Sequence, residues 1–108
     1  MPFEVWLSAA VANDLERIFD YIADIDSHDS AVYVIENICE IIDNLSEFPD
    51  HGKHVSETEY LGTQAYRELS FKAYRVIYRV VDKTVRVFMV LDGRRDCRDL
   101  LRDRLLDR

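Results

Sequence analysis

Apolar positions along this chain switch between two periods, and each switch marks a new element. Phe3-Glu4-Val5-Trp6-Leu7 alternates at its start and predicts a short first strand. Ser8 then offers a hydroxyl cap to a helix. Val11, Leu15, Ile18, Phe19, Ile22 and Ile25 recur at three- and four-residue steps and make one apolar stripe. Asp14, Glu16, Asp20 and Asp24 fall largely off it and read as a solvated face.

The polar run Asp26-Ser27-His28-Asp29-Ser30 predicts a turn and a second helix start, with Ser27 or Ser30 as its cap. A second stripe follows in Ala31, Val34, Ile35, Ile38, Ile41, Ile42 and Leu45. Phe48-Pro49 ends it, because proline disfavours helical geometry in the residue before it. The two stripes therefore predict a helical hairpin. Residues 50–63 are polar and read as a loop, with a short extended piece at His54-Val55.

Period two returns near Tyr66–Phe71, Tyr74–Val81 and Val85–Leu91. Lys72-Ala73 and Asp82-Lys83-Thr84 are connections short enough only for antiparallel hairpins. In the last strand Val85, Val87, Met89 and Leu91 are expected on one face, with Arg86, Phe88 and Val90 on the other. Cys97–Leu106 reads as an amphipathic tail with Leu100, Leu101, Leu105 and Leu106 on its apolar side. The order strand, helix, helix, three strands, short helix argues for an α+β class, a helical hairpin laid across an antiparallel sheet. The 108 residues suit one such domain, spanning 1–108.

Composition adds exclusions. No apolar run approaches the ~20 residues that cross a bilayer. Met1-Pro2-Phe3-Glu4 has no basic segment leading into an apolar one, so no secretory signal is read and a cytoplasmic location without membrane contact is expected. Cys39 and Cys97 lie far apart in no metal or redox spacing. His51 and His54 lack a second ligand pair, so neither a metal nor another cofactor is expected.

Charge is divided unevenly. Residues 1–59 carry 2 basic and 14 acidic side chains, residues 60–108 carry 12 and 7, and the chain as a whole carries −7. Distant charge is screened beyond about 8–10 Å at physiological salt, so a cationic surface can act locally on an acidic protein. Arg67, Arg75 and Arg79 fall on adjacent predicted strands, Arg94 and Arg95 follow the last one, and Arg98, Arg102 and Arg104 lie on the tail. Guanidinium groups are planar and bidentate, which suits phosphate or carboxylate. The ordinary alternative is pairing with Glu68, Asp82, Asp96, Asp99 and Asp103 on a solvated surface. No Ser-His-Asp order, phosphate-cradling glycine loop or zinc signature is present, so spacing alone demonstrates no enzyme.

Several segments together resemble the RelE/ParE toxin superfamily of bacterial type II toxin–antitoxin systems. They are Leu7-Ser8, Ala12-x-Asp14-Leu15-x-x-Ile18, Tyr21-Ile22-Ala23, Asp26-Ser27 and Leu45-x-x-Phe48-Pro49-x-x-Gly52. Tyr66-Arg67-Glu68-Leu69-x-Phe71, Tyr74-Arg75-Val76-Ile77-Tyr78 and Gly93-Arg94-Arg95-Asp96 complete the set. The resemblance implies the same fold and a cognate antitoxin forming a hetero-oligomer with this chain, with Arg67 and Arg75 as expected antitoxin contacts. Members of the RelE-like branch cleave messenger RNA on the ribosome. Arg75 and Arg95 match arginines of that branch, but Phe71 stands where it carries an arginine, Leu101 where it carries a tyrosine, and its lysine-rich segment is reduced to Lys53. The Tyr-Arg-Glu-Leu-x-Phe run is similar instead to the ParE branch, which is associated with DNA gyrase inhibition. On that reading the chain binds gyrase, with or without its DNA, and cuts nothing; Arg94, Arg95, Arg98 and Arg102 are the expected target contacts. The alternatives are a RelE-like endoribonuclease and a non-toxic member that only binds its antitoxin.

Overall fold

A computed structural model describes residues 2–61, 65–94 and 98–106. Its elements follow the sequence periods closely. Strand β1 (Glu4–Leu7) leads into helices α1 (Ala9–Ile25) and α2 (His28–Asn44). The Ser8 hydroxyl accepts the Val11 N–H at 3.2 Å and the Ser27 hydroxyl accepts the Ser30 N–H at 3.0 Å. Such caps are each worth about 1 kcal/mol, and they fix where the helices begin. Helix α2 ends at Asn44, and a run of turns carries the chain from there to Pro49. The loop then contributes a two-residue strand β2 (Lys53–His54) and a 3-10 helix (Ser56–Leu61). Strands β3 (Tyr66–Phe71), β4 (Tyr74–Val81) and β5 (Thr84–Asp92) form two tight hairpins, and α3 (Arg98–Leu106) follows.

The five strands form one sheet in the order β1-β5-β4-β3-β2. The hairpin strands are antiparallel, as their short turns require, and β2 joins them antiparallel to β3. Strand β1 instead pairs parallel to β5, so the sheet is mixed. Turn length says nothing about β1, because no hairpin connects it to any strand.

Both sheet faces are covered. The hairpin α1–α2 packs on one face over Val76, Tyr78, Val85, Val87 and Val90, with Ile38 and Val11 fully buried between. The opposite face carries a smaller cluster of Val55, Tyr66, Ile77, Met89, Leu91 and Leu101. The expected alternation on β5 therefore fails midway. Ile77 pairs with Met89 while Tyr78 pairs with Val87, which leaves Phe88 as an extra residue in a β-bulge. The bulge turns Met89 and Leu91 away from the hairpin and Val90 toward it. Ile25, expected on the core stripe, is 62% exposed at the end of α1. On α3, Leu101 is buried and Leu100 partly so; the side chains of Leu105 and Leu106 lie outside the described set.

Candidate functional site

Four arrangements of charged side chains stand out among the described residues, and they differ in how far the chain satisfies them internally.

The first is a buried clamp. Gly93 leaves room for the Arg75 stem: a Cβ there would stand 2.7 Å from Arg75 Cγ and 2.9 Å from the Ala73 carbonyl oxygen. The Arg75 guanidinium reaches two carboxylates at once. Its Nε and Nη2 donate to Glu68 at 2.8 and 2.9 Å, and its Nη1 and Nη2 donate to Glu57 of the 3-10 helix at 2.7 and 2.9 Å. The Arg75 side chain is only 12% exposed. Its charge is thus spent within the fold.

Arg67 is engaged elsewhere. It lies on the hairpin side of the sheet opposite Tyr78, and its Nη1 donates to the Gly52 carbonyl at 2.7 Å. The buried Tyr78 hydroxyl accepts the Gly52 N–H and donates to the Pro49 carbonyl, both at 2.8 Å. Phe48-Pro49-x-x-Gly52 and the strand residues Arg67 and Tyr78 thus form one pinned corner. Burial pushes the Tyr78 phenol above the ordinary tyrosine range. The two arginines expected to meet an antitoxin together sit on opposite faces of the sheet, since Arg75 and Tyr78 differ by an odd step along β4.

The third arrangement is the tail. Arg94 is exposed just after β5 and is held by Asp92, with Nη2–Oδ2 at 2.5 Å; that hydrogen bond raises its pKa. Arg98 and Arg102 are exposed one turn apart on α3, and Arg102 also pairs with Asp99 at 2.9 Å. Arg95, expected beside them, and Cys97 lie outside the described residues. Arg104 turns the other way, inward to Asp14 of α1.

The fourth was not legible as a unit. Trp6, Arg86, Arg79 and Tyr66 are successive cross-strand neighbours on β1, β5, β4 and β3. They form one lateral row on the face away from the hairpin. Arg86 lies 5.7 Å from the Trp6 ring centroid and Arg79 5.7 Å from the Tyr66 centroid. A groove of about 590 Å³ runs over this row. The signal was in the sequence as four aromatic or basic residues on four strands, but only the register aligns them.

His51 and His54 are both exposed, and among the described residues no cluster of His, Cys, Asp or Glu is placed to hold a metal ion. Burial and the neighbouring Asp43 push the half-buried Cys39 thiol above the ordinary cysteine range. No described helix is long and apolar enough to cross a membrane.

Comparison with known proteins follows this geometry. The fold is similar to a chain of the chromosomal ParDE toxin–antitoxin system from P. aeruginosa, with TM-score 0.68 and 16% identity over 82% of this chain and 92% of that one. It is also similar to a chain of the toxin–antitoxin complex RelBE2 from Mycobacterium tuberculosis, with TM-score 0.61 and 19% identity over 83% of this chain and 96% of that one. No curated protein matches the sequence. Residues 5–97 match the family model described as the ParE toxin of the type II toxin–antitoxin system parDE. The chain therefore belongs to the ParE toxin family, within the wider RelE/ParE superfamily.

Proposed function

We propose that this toxin acts by binding DNA gyrase through its tail surface and is neutralised by a cognate antitoxin. The observation that carries the reading is the state of Arg75. A phosphate-cleaving site needs groups that accept a proton and stabilise developing charge. Arg75, the described arginine that resembles part of such a site, is clamped by Glu57 and Glu68 and largely withdrawn from solvent. Phe71 and the buried Leu101 supply no titrating group at the two positions where the RelE-like branch carries an arginine and a tyrosine. Arg94, Arg98 and Arg102 are exposed and stand where a large partner can reach them. The toxin–antitoxin systems to which the similar chains belong support an antitoxin partner.

The test is direct. The purified chain should inhibit supercoiling by gyrase and accumulate cleaved DNA. Replacing Arg94, Arg98 and Arg102 with glutamate should abolish this and the toxicity while the fold persists. Codon-linked cleavage of translated message would establish the endoribonuclease reading instead. Silence in both reactions, with tight antitoxin binding, would establish a non-toxic member.

A further inference from the structure

We propose that two copies of this chain pair through the outer edge of β1, joining their two five-stranded sheets about a twofold axis at Trp6. The pairing surface is separate from the tail arginines and does not depend on which target they serve.

Strand β1 lies at one end of the sheet, with β5 as its neighbour. The Glu4 N–H donates to the Lys83 carbonyl at 3.1 Å, on the β5 side. Backbone groups alternate in direction along a strand. Glu4 and Trp6 therefore bond to β5, while Phe3, Val5 and Leu7 present their N–H and C=O groups outward. Ser46 takes up Phe3: its carbonyl accepts the Phe3 N–H and its hydroxyl donates to the Phe3 carbonyl, both at 2.8 Å. Among the described residues nothing bonds the outward groups of Val5 and Leu7. An open edge of this kind is a template for another strand. The opposite edge is blunted, because β2 has only two residues and one of them is Lys53.

The occupant that fits is a second copy of the same strand. In antiparallel pairing, Val5 opposite Leu7 of the second copy satisfies every outward group that Ser46 leaves open. Shifted registers fail. Val5 opposite Val5 needs Phe3, which Ser46 holds, and Leu7 opposite Leu7 needs Ala9, which is helical. The working register sets Trp6 against Trp6 in a pair without hydrogen bonds, where facing side chains are closest. Trp6 is 56% exposed in the single chain, and an aromatic pair there adds favourable contact.

Charge points the same way. The chain carries −7, so two copies repel over most of their surface. Beside Trp6 the exposed residues Leu7, Ala9 and Ala10 are uncharged, and the exposed carboxylates of α1 begin only at Glu16. Glu4 lies clear of the axis. The register sets it opposite Ser8 of the second copy, at the positive end of α1, where an anion is favoured.

A contact of this size is small and associates weakly, so the full chain is sedimented from about 5 μM to about 1 mM and should pass from monomer to dimer. Leu7→Pro removes one outward donor and none of those facing β5, and should weaken the dimer at least about tenfold. Two further variants are made with Cys39→Ala and Cys97→Ser as background. Trp6→Cys should form an intermolecular disulfide under mild oxidation, because the facing Cα atoms stand about 4.5 Å apart. Glu4→Cys should not, because its two copies lie beyond the roughly 7 Å that a disulfide spans. If circular dichroism shows that Leu7→Pro fails to fold, the two cysteine variants decide. A chain that stays monomeric overturns the proposal and leaves the β1 edge to a strand from another protein. An unchanged dimer in folded Leu7→Pro, or the same degree of bridging in both cysteine variants, overturns it in favour of a contact elsewhere on the surface.

Discussion

Asp14 and Arg104 form a two-point ion pair that ties the first helix to the last, across 90 residues of sequence. The distances are 2.6 and 2.8 Å. Strand β1 pairs with β5 only as far as Val87, so β5 has an open edge beyond that point. The pair closes it. Asp14 Oδ2 accepts the Val90 N–H at 3.0 Å, and Arg104 Nη1 donates to the Phe88 carbonyl at 3.2 Å. Two side chains thus do for the bulged segment what a neighbouring strand would do with its backbone. The hydrogen bonds that Arg104 donates to Asp14 also raise the pKa of its guanidinium.

Breaking this pair should cost more from the Asp14 side. Asp14→Ala strands both Arg104 and the Val90 N–H, and should destabilise by about 2–4 kcal/mol. Asp14→Asn keeps an acceptor and should cost about 1–2 kcal/mol. Arg104 is one-quarter exposed, so Arg104→Met should cost about 1–2 kcal/mol. Urea unfolding gives the order, and faster hydrogen exchange at Val90 locates the lesion. Equal costs for the two Asp14 variants would contradict the role given to the acceptor of the Val90 N–H.

The pinned corner predicts a different pattern. Tyr78→Phe leaves the Gly52 N–H without its acceptor and should cost about 1–3 kcal/mol. Gly52→Ala sets a Cβ 2.7 Å from the Glu68 carbonyl oxygen and the Tyr78 hydroxyl oxygen. Because one obstacle is backbone, the loop must move, and the loss should exceed that of Tyr78→Phe. The double variant should fall short of the sum, since both changes break one contact.

Alkaline pH should weaken the fold through the same tyrosine. Burial raises the folded-state pKa of Tyr78, and also that of Tyr74, above the unfolded value. The unfolded chain then loses its phenolic protons first. The contribution of these two tyrosines should be flat below about pH 10, the ordinary tyrosine pKa, and fall as pH rises from there toward the folded pKa. Denaturant midpoints against pH should show this slope, and Tyr78→Phe should reduce it.

Within the clamp, the two sides are not equivalent. Arg75→Met takes from Glu57 and Glu68 the cation they share and should cost about 2–4 kcal/mol. Glu57→Gln keeps the Glu68 pair and should cost about 1 kcal/mol or less. Loss of both to a similar extent would mean that Glu57 carries more than a shared hydrogen bond. The tail arginines make the control: Arg98→Gln and Arg102→Gln should stay within about 0.5 kcal/mol, because exposed pairs contribute little.

The periods in the sequence placed the helices and the three long strands to within a residue or two. Ser8 and Ser27 were readable as caps because capping depends on neighbours in the chain. The bulge at Phe88 was not readable, since Val85 to Leu91 alternates without interruption and only pairing with β4 shows the extra residue. Asp14 looked like one more solvated carboxylate among its helix neighbours. Its burial follows from Arg104, which lies at the far end of the chain.

Local order and family membership were therefore written in the sequence itself: apolar spacing, caps and short turns act between residues a few positions apart. The parallel seat of β1, the separation of Arg67 from Arg75, and the row from Trp6 to Tyr66 were decided only by the tertiary structure. Strand register and ion pairing join residues far apart along the chain, and a guanidinium gives no sign in the sequence of whether a carboxylate will reach it.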